Sequence, residues 1–191
     1  PFFLFVSFNA VHTPMQALES DLDSVAPGAK GKRRKLLAMT LALDRAVGEI
    51  LAAIDDSEIA DNTMVFFVND NGGATSNASD NGPHRGMKGS KFEGGIRVPW
   101  ATRWPSQIPA GSRFESPVST LDIATTVLAA ANVPADSLQQ LDGVDISDQL
   151  RGIDPDAPHE YLFWRRAVAA AVRHGPWKLI RVEGLSPQLF H

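Results

Sequence analysis

Two apolar runs, residues 1–9 (Pro-Phe-Phe-Leu-Phe-Val-Ser-Phe-Asn) and 63–69 (Thr-Met-Val-Phe-Phe-Val-Asn), limit what this chain can fold into. Each is almost continuously apolar over the length of a strand and rich in aromatic or β-branched residues. That pattern suits a strand buried on both faces of a sheet that helices cover. Between the runs, Leu36, Leu43, Val47, Ile50, Leu51 and Ile54 mark one buried face of a helix over residues 32–55. Residues 19–31, with Asp, Ser, Pro and Gly, read as a loop. Strands alternating with helices through the first 135 residues give an α/β layered domain.

Later segments have a different texture. Residues 96–102 read as a short strand. Ser119 with Asp122 three residues on is an N-cap and acid pair that opens a helix to about residue 131. Residues 154–158 form a punctuated linker, and residues 161–166, 168–173 and 177–182 read as three short strands, the last two joined by His174-Gly175-Pro176. At 191 residues, and roughly 150 residues per domain, the expected division is residues 1–152 for the α/β portion and 153–191 for the start of a small antiparallel appendage.

Composition excludes several classes. Cysteine is absent, so no disulfide, thiolate zinc site or cysteine nucleophile lies within these residues. The net charge of −4 argues against a general nucleic-acid binder. No apolar run is long enough to cross a bilayer, and residues 1–6 lack the basic flank of a signal peptide. The start at Pro1 inside an apolar run and the stop at His191 lead us to expect a fragment of something longer.

In an open α/β sheet, ligands bind beyond the carboxyl ends of the strands. His12 follows the first run, and Asp70-Asn71-Gly72-Gly73 follows the second. Asp70 and Asn71 offer a carboxylate and an amide oxygen, hard donors suited to Ca²⁺ or Mg²⁺, while the same tetrapeptide also reads as a plain turn. An EF-hand is excluded, because Phe67 stands where its first ligand belongs if Gly72 is the loop glycine. Residues 70–95 form a loop of about 25 residues, a length more often functional than structural. Within it, Arg85-Gly-Met-Lys88-Gly-Ser-Lys91-Phe-Glu93-Gly-Gly95-Ile-Arg97 carries four cations against one acid. It reads either as a solvated basic loop or as an oxyanion cradle, and it is not a Walker A loop. His12 has a capping reading beside its functional one, and His84, His159, His174 and His191 are individually weaker. Asn77-Ala-Ser79 fits a glycosylation sequon, a pattern too common to argue secretion.

Together these pieces resemble the sulfatase family of the alkaline phosphatase superfamily. Residues 2–14 look like the strand entering its His-Thr-Pro segment, and residues 65–73 like its Asp-Asn-Gly metal segment. Residues 85–99 are similar to its signature Arg-Gly-x-Lys-Gly-x-x-x-Glu-Gly-Gly-x-Arg-Val-Pro. Weaker echoes are Leu121-Asp-Ile-Ala-Thr-Thr126, Leu141-Asp-Gly-Val144 and Arg173-His-Gly-Pro-Trp-Lys-Leu-Ile180.

The resemblance implies part of an alkaline-phosphatase-like mixed or parallel sheet flanked by helices, and hydrolysis of sulfuric esters, aryl sulfates or sulfated carbohydrates. Asp70 and Asn71 match the pair that holds the family's cation, usually Ca²⁺, with Mg²⁺ or Mn²⁺ as alternatives. Lys88 matches the lysine that contacts the sulfate, and His12 the histidine beside the sulfate and the ester oxygen. Lys91 falls on a variable position and is left as a solvated residue or one behind the site.

The family nucleophile, a formylglycine hydrate made from Cys or Ser in a Cys/Ser-x-Pro-x-Arg motif, has no counterpart here. Two acidic metal ligands, and the arginine and lysine beside the nucleophile, are also missing. The expectation is therefore a C-terminal part of a sulfatase, inactive in isolation and prone to misassociate through the exposed edge of residues 1–9. Rivals are a phosphonate or phosphodiester hydrolase of the same superfamily, and a degenerate ion-binding module. No nucleic acid or membrane partner is implied, and a periplasmic or secreted location is a family expectation.

Overall fold

A computed structural model describes residues 1–138 and 140–191. The element order is α1 (Glu19–Ser24), α2 (Gly31–Asp55), β1 (Val65–Val68), α3 (Glu93–Ile96), β2 (Trp100–Arg103), α4 (Asp122–Ala130), α5 (Ala135–Leu138), α6 (Ser147–Arg151), β3 (Tyr161–Arg166), β4 (Ala169–His174), β5 (Trp177–Val182) and β6 (Gln188–Phe190). Short 3-10 turns lie at Ala60–Asn62 and Thr75–Asn77. None of the described helices is long and apolar enough to cross a membrane.

The long periodic helix forms as its spacing predicts, but of the expected buried face only Leu36 is buried, beside Ala38 and Met39, while Leu43, Val47, Ile50, Leu51 and Ile54 are half-buried. The preceding stretch is not all loop, because α1 packs on α2. The Arg45 guanidinium donates to both oxygens of buried Asp21, at 2.9 and 3.0 Å, and Arg34 donates through Nε and Nη2 to the Leu22 carbonyl. Cations reaching in from α2 thus hold a polar segment helical. The Arg45 hydrogen bond and charge keep the Asp21 carboxyl below the usual carboxylate range, against the opposing effect of burial.

The second apolar run yields β1, half-buried rather than sealed on both faces, and paired antiparallel with β2 in the register Val65↔Arg103 through Val68↔Trp100. Trp100 meets Phe66 edge-on across that pair, with centroids 5.8 Å apart. The first run forms no strand. Residues 1–9 have no ladder partner among the described residues, and Phe3 and Phe5 are each 78% exposed. A strand needs a neighbour for its N–H and C=O groups, and composition alone does not supply one.

Beyond β2, Asp122 organises the approach to the small sheet. Its carboxylate is fully buried and accepts from the Ser119 amide (2.7 Å), the Val144 amide (3.0 Å) and Nε2 of His159 (2.8 Å). The first bond has the form of the reciprocal half of the expected capping pair, but α4 begins at Asp122 itself, with Leu121 and not Ser119 at its N-cap and no side-chain cap bond. The final four strands form a meander, β3-β4-β5-β6, all antiparallel, with Ala171 and Ile180 paired and buried. Three of these strands follow from the sequence pattern, and β6 is additional. The whole is a mixed α/β architecture with a small antiparallel sheet at its end.

Candidate active site

The site is built where three loops meet. The peptide after β1 lies against the glycine-rich loop: Gly72 N–H donates to the Gly95 carbonyl (3.1 Å), and Lys88 N–H to the Gly73 carbonyl (2.9 Å). Asn81 braces the same junction, accepting from Gly73 N–H at Oδ1 and donating through Nδ2 to the carbonyls of Gly73 and Gly86. This approach requires glycine. A Cβ on Gly72 would stand 1.9 Å from the Gly94 carbonyl oxygen, closer than any real side chain tolerates. Gly86 and Gly89, on either side of Lys88, have φ of +97° and +90°, conformations that L side chains rarely adopt.

The third loop brings His12. Asn77 Nδ2 donates to the Val11 carbonyl (3.1 Å), fastening the first segment to the loop at Thr75–Asn77, which Lys32 and Arg33 of α2 also hold. Asn77 is buried, and its Oδ1 accepts from the amide and hydroxyl of Ser79, so the sequon asparagine acts as a brace.

His12 then meets Lys88, with Nε2 and Nζ 3.4 Å apart. The other ring nitrogen, Nδ1, lies 2.7 Å from the Thr13 carbonyl. A carbonyl only accepts, so Nδ1 carries the hydrogen and Nε2 presents its lone pair to the ammonium. Both side chains are exposed, so a ligand can reach them from solvent.

Asp70 and Asn71 sit on the strand side of this junction, three and two residues before Gly73. The Asp70 carboxylate makes no hydrogen bond or ion pair among the described residues. Asn71 Nδ2 donates to the Gly72 carbonyl (3.0 Å), which leaves its amide oxygen free to coordinate. These are hard oxygen donors that fit a Ca²⁺-type ion, but they are two of the six to eight such an ion takes. No group of three or more histidines and carboxylates able to hold a metal occurs among the described residues. The structure therefore joins His12 directly to Lys88 and links both to the Asp70-Asn71 segment through Gly73.

Charges behind the loop escaped the sequence reading. Glu93 accepts from Lys178 of β5 at 2.6 Å and pairs with Arg173 of β4 at 3.5 Å. Burial raises the Glu93 carboxyl, but the Lys178 hydrogen bond and the charges of Lys178, Arg173 and Arg97 outweigh it and hold it below the usual range. Burial also lowers the Lys178 ammonium despite its bond to Glu93. Lys91, expected in solvent or behind the site, is buried at 7% exposure. These partners lie about 85 residues apart in sequence, a separation no local pattern reports.

The Sulfatase family profile matches residues 1–133. Among curated relatives, the steryl-sulfatase of Rattus norvegicus is 36% identical over 173 residues, 85% of this chain and 29% of that protein. The N-acetylgalactosamine-6-sulfatase of Canis lupus familiaris is 34% identical over 183 residues, 93% of this chain and 34% of that protein. The crystal structure of Ps i-CgsB in complex with k-i-k-neocarrahexaose is similar with a TM-score of 0.90 and 37% identity, covering 100% of this chain and 43% of that one. The chain thus spans about a third of the length of the curated relatives it matches. With that profile match over residues carrying His12, Asp70, Asn71 and Lys88, the chain belongs to the sulfatase family.

Proposed function

We propose that the full-length protein hydrolyses sulfate monoesters, with Lys88 and His12 engaging the sulfate. The observation that carries this is the 3.4 Å approach of Lys88 Nζ to His12 Nε2, which puts a cation and a proton-carrying ring at one point of the loop junction. The Lys88 ammonium offsets charge on the sulfuryl oxygens. His12, turned from Lys88 to the substrate and protonated at Nε2, donates a hydrogen bond or the proton to the departing ester oxygen. Its Nδ1–H bond to Thr13 keeps the ring oriented while Nε2 works.

Asp70 and Asn71 would hold a Ca²⁺-type cation, with Mg²⁺ or Mn²⁺ as alternatives, and further donors are needed to complete its shell. Such an ion polarises sulfuryl oxygens. The formylglycine nucleophile that the family resemblance implies has no precursor here, since these residues contain neither Cys nor a Ser-x-Pro-x-Arg run. Turnover is therefore expected of the full-length protein and not of these 191 residues alone. Relatives named for sulfated sugars and steryl sulfate support a sulfated carbohydrate or another sulfate ester as substrate.

The test is to compare a sulfate, a phosphate and a phosphonate ester of 4-nitrophenol on the full-length protein and on its Lys88→Met variant. Preferential sulfate turnover that falls in the variant supports the reading. Preference for the phosphonate or phosphate ester, or no turnover of any, contradicts it.

A further inference from the structure

Lys91 is 7% exposed as a residue, and its ammonium, which still reaches solvent, donates no hydrogen bond and forms no ion pair among the described residues. Removing an ion from water is costly unless an opposite charge meets it, and buried charges in native proteins are paired. Here the neighbour acting on Lys91 is another cation, Arg166 of β3, and burial together with that like charge pushes the Lys91 ammonium down from the usual lysine range. Arg166 lies over the loop itself, with Nη1 2.7 Å from the position a Cβ on Gly89 would take, one residue past Lys88.

Glu93 does not relieve this charge. Its Oε1 is taken by Lys178 and its Oε2 by Arg173. The cations that act on Glu93 are Lys178, Arg173 and Arg97, which leaves Lys91 and Arg166 without a carboxylate of their own among the described residues. Arg166, Arg173 and Lys178 come from the small sheet, beyond the residues 1–133 that the family profile matches. A largely buried lysine whose ammonium has no partner and an exposed guanidinium, which can grip a planar or tetrahedral oxyanion through two N–H groups, are the complementary halves of an anion site.

We propose that Lys91 and Arg166 form a second oxyanion site, separate from the Lys88–His12 pair, that takes a sulfate or carboxylate group of a bound ligand. A polyanionic substrate would place one acidic group at Lys88 and another at Lys91 and Arg166. That last step rests on the sulfate-ester reading above, while the anion site itself does not. The same chemistry has one other source, a carboxylate elsewhere in the full-length protein that already pairs with Lys91, and the experiment separates the two.

The test is isothermal titration of the full-length protein with inorganic sulfate at low ionic strength, alongside thermal melts. The expected result is two equivalents in the wild type and one in Lys91→Met. Arg166→Gln, on the exposed side of the site, should weaken the second equivalent by roughly tenfold, as loss of a charge-assisted contact does. Lys91→Met should melt at or above the wild-type temperature, because it removes an unpaired charge from a largely buried residue. Sulfate binding whose stoichiometry is the same in the wild type and in Lys91→Met overturns the proposal. A fall of several degrees in the Lys91→Met melt also overturns it, since that is the signature of a protein carboxylate left without its partner. If sulfate binding depends on Lys91 but the protein turns over no sulfate ester, the functional reading fails and this site stands.

Discussion

Lys88 donates to Nε2 of His12 across 3.4 Å, joining residues 76 positions apart in the chain. Because Nδ1 of the ring is committed to the Thr13 carbonyl, the lysine's partner is the nitrogen left to handle a proton. In the full-length protein, Lys88→Met should lower kcat for an aryl sulfate by about 10²–10³, the range for losing one group that stabilises developing charge. His12→Gln should lower it by about 10²–10⁴. Since the two side chains touch, steady-state kinetics of the double variant should show a loss smaller than the product of the single losses.

The contact between Gly72 and Gly94 makes a backbone prediction. Gly72→Ala puts a methyl 1.9 Å from the Gly94 carbonyl oxygen, and neither backbone can retreat without breaking the Gly72–Gly95 hydrogen bond. Overpacking of this kind costs about 1–3 kcal/mol or more, read as a lower urea midpoint. Gly28→Ala, where nothing lies within 4 Å, is the control and should stay within about 0.5 kcal/mol of the wild type.

Asp122 is a structural hub despite its position in a weaker echo of the family pattern. Asp122→Ala leaves the Ser119 and Val144 amides and the His159 ring without their acceptor, all at a fully buried point. The expected loss is about 3–5 kcal/mol. His159→Ala removes one of those donors and should cost less, about 1–3 kcal/mol. Paired thermal melts rank the two, and equal losses would contradict the hub.

Glu93 predicts an acid dependence. Its folded carboxyl titrates below the ordinary glutamate value because Lys178, Arg173 and Arg97 favour the anion more than burial opposes it. The unfolded state therefore binds its proton first, and stability rises with pH through this window. The stabilisation is complete above the unfolded value, near about pH 4.3, and is lost as pH falls through the lower folded value. Melts from pH 6 to 3 should show a smaller acid-side decline in Glu93→Gln than in the wild type.

How much was legible depended on how local the cause was. Helix α2 follows from the spacing of Leu36, Leu43, Val47 and Ile54, and strands β3, β4 and β5 from short apolar runs punctuated by His174-Gly175-Pro176. Helix α1 read as a loop because its helicity is secured by Arg34 and Arg45 of the next helix. Strand β6 was missed because Gln188–Phe190 is too short to show alternation. Residues 1–9 have strand composition, but pairing belongs to a neighbour and not to composition. At the site, His12, Asp70, Asn71 and Lys88 were readable as motif residues, and the structure adds the contact between His12 and Lys88. The Glu93–Lys178 pair and the burial of Lys91 arise from the small sheet folding back onto the loop, which no spacing along the chain encodes.

The most direct measurement of the central claim is hydrolysis of 4-nitrocatechol sulfate by the full-length protein, before and after chelation, with Ca²⁺ added back, alongside Asp70→Ala. The account predicts turnover that falls on chelation, returns with Ca²⁺ and is lost in Asp70→Ala while the variant's melting temperature stays near the wild type, because Asp70 holds no partner among the described residues. Turnover that survives chelation and the Asp70→Ala substitution unchanged would contradict it.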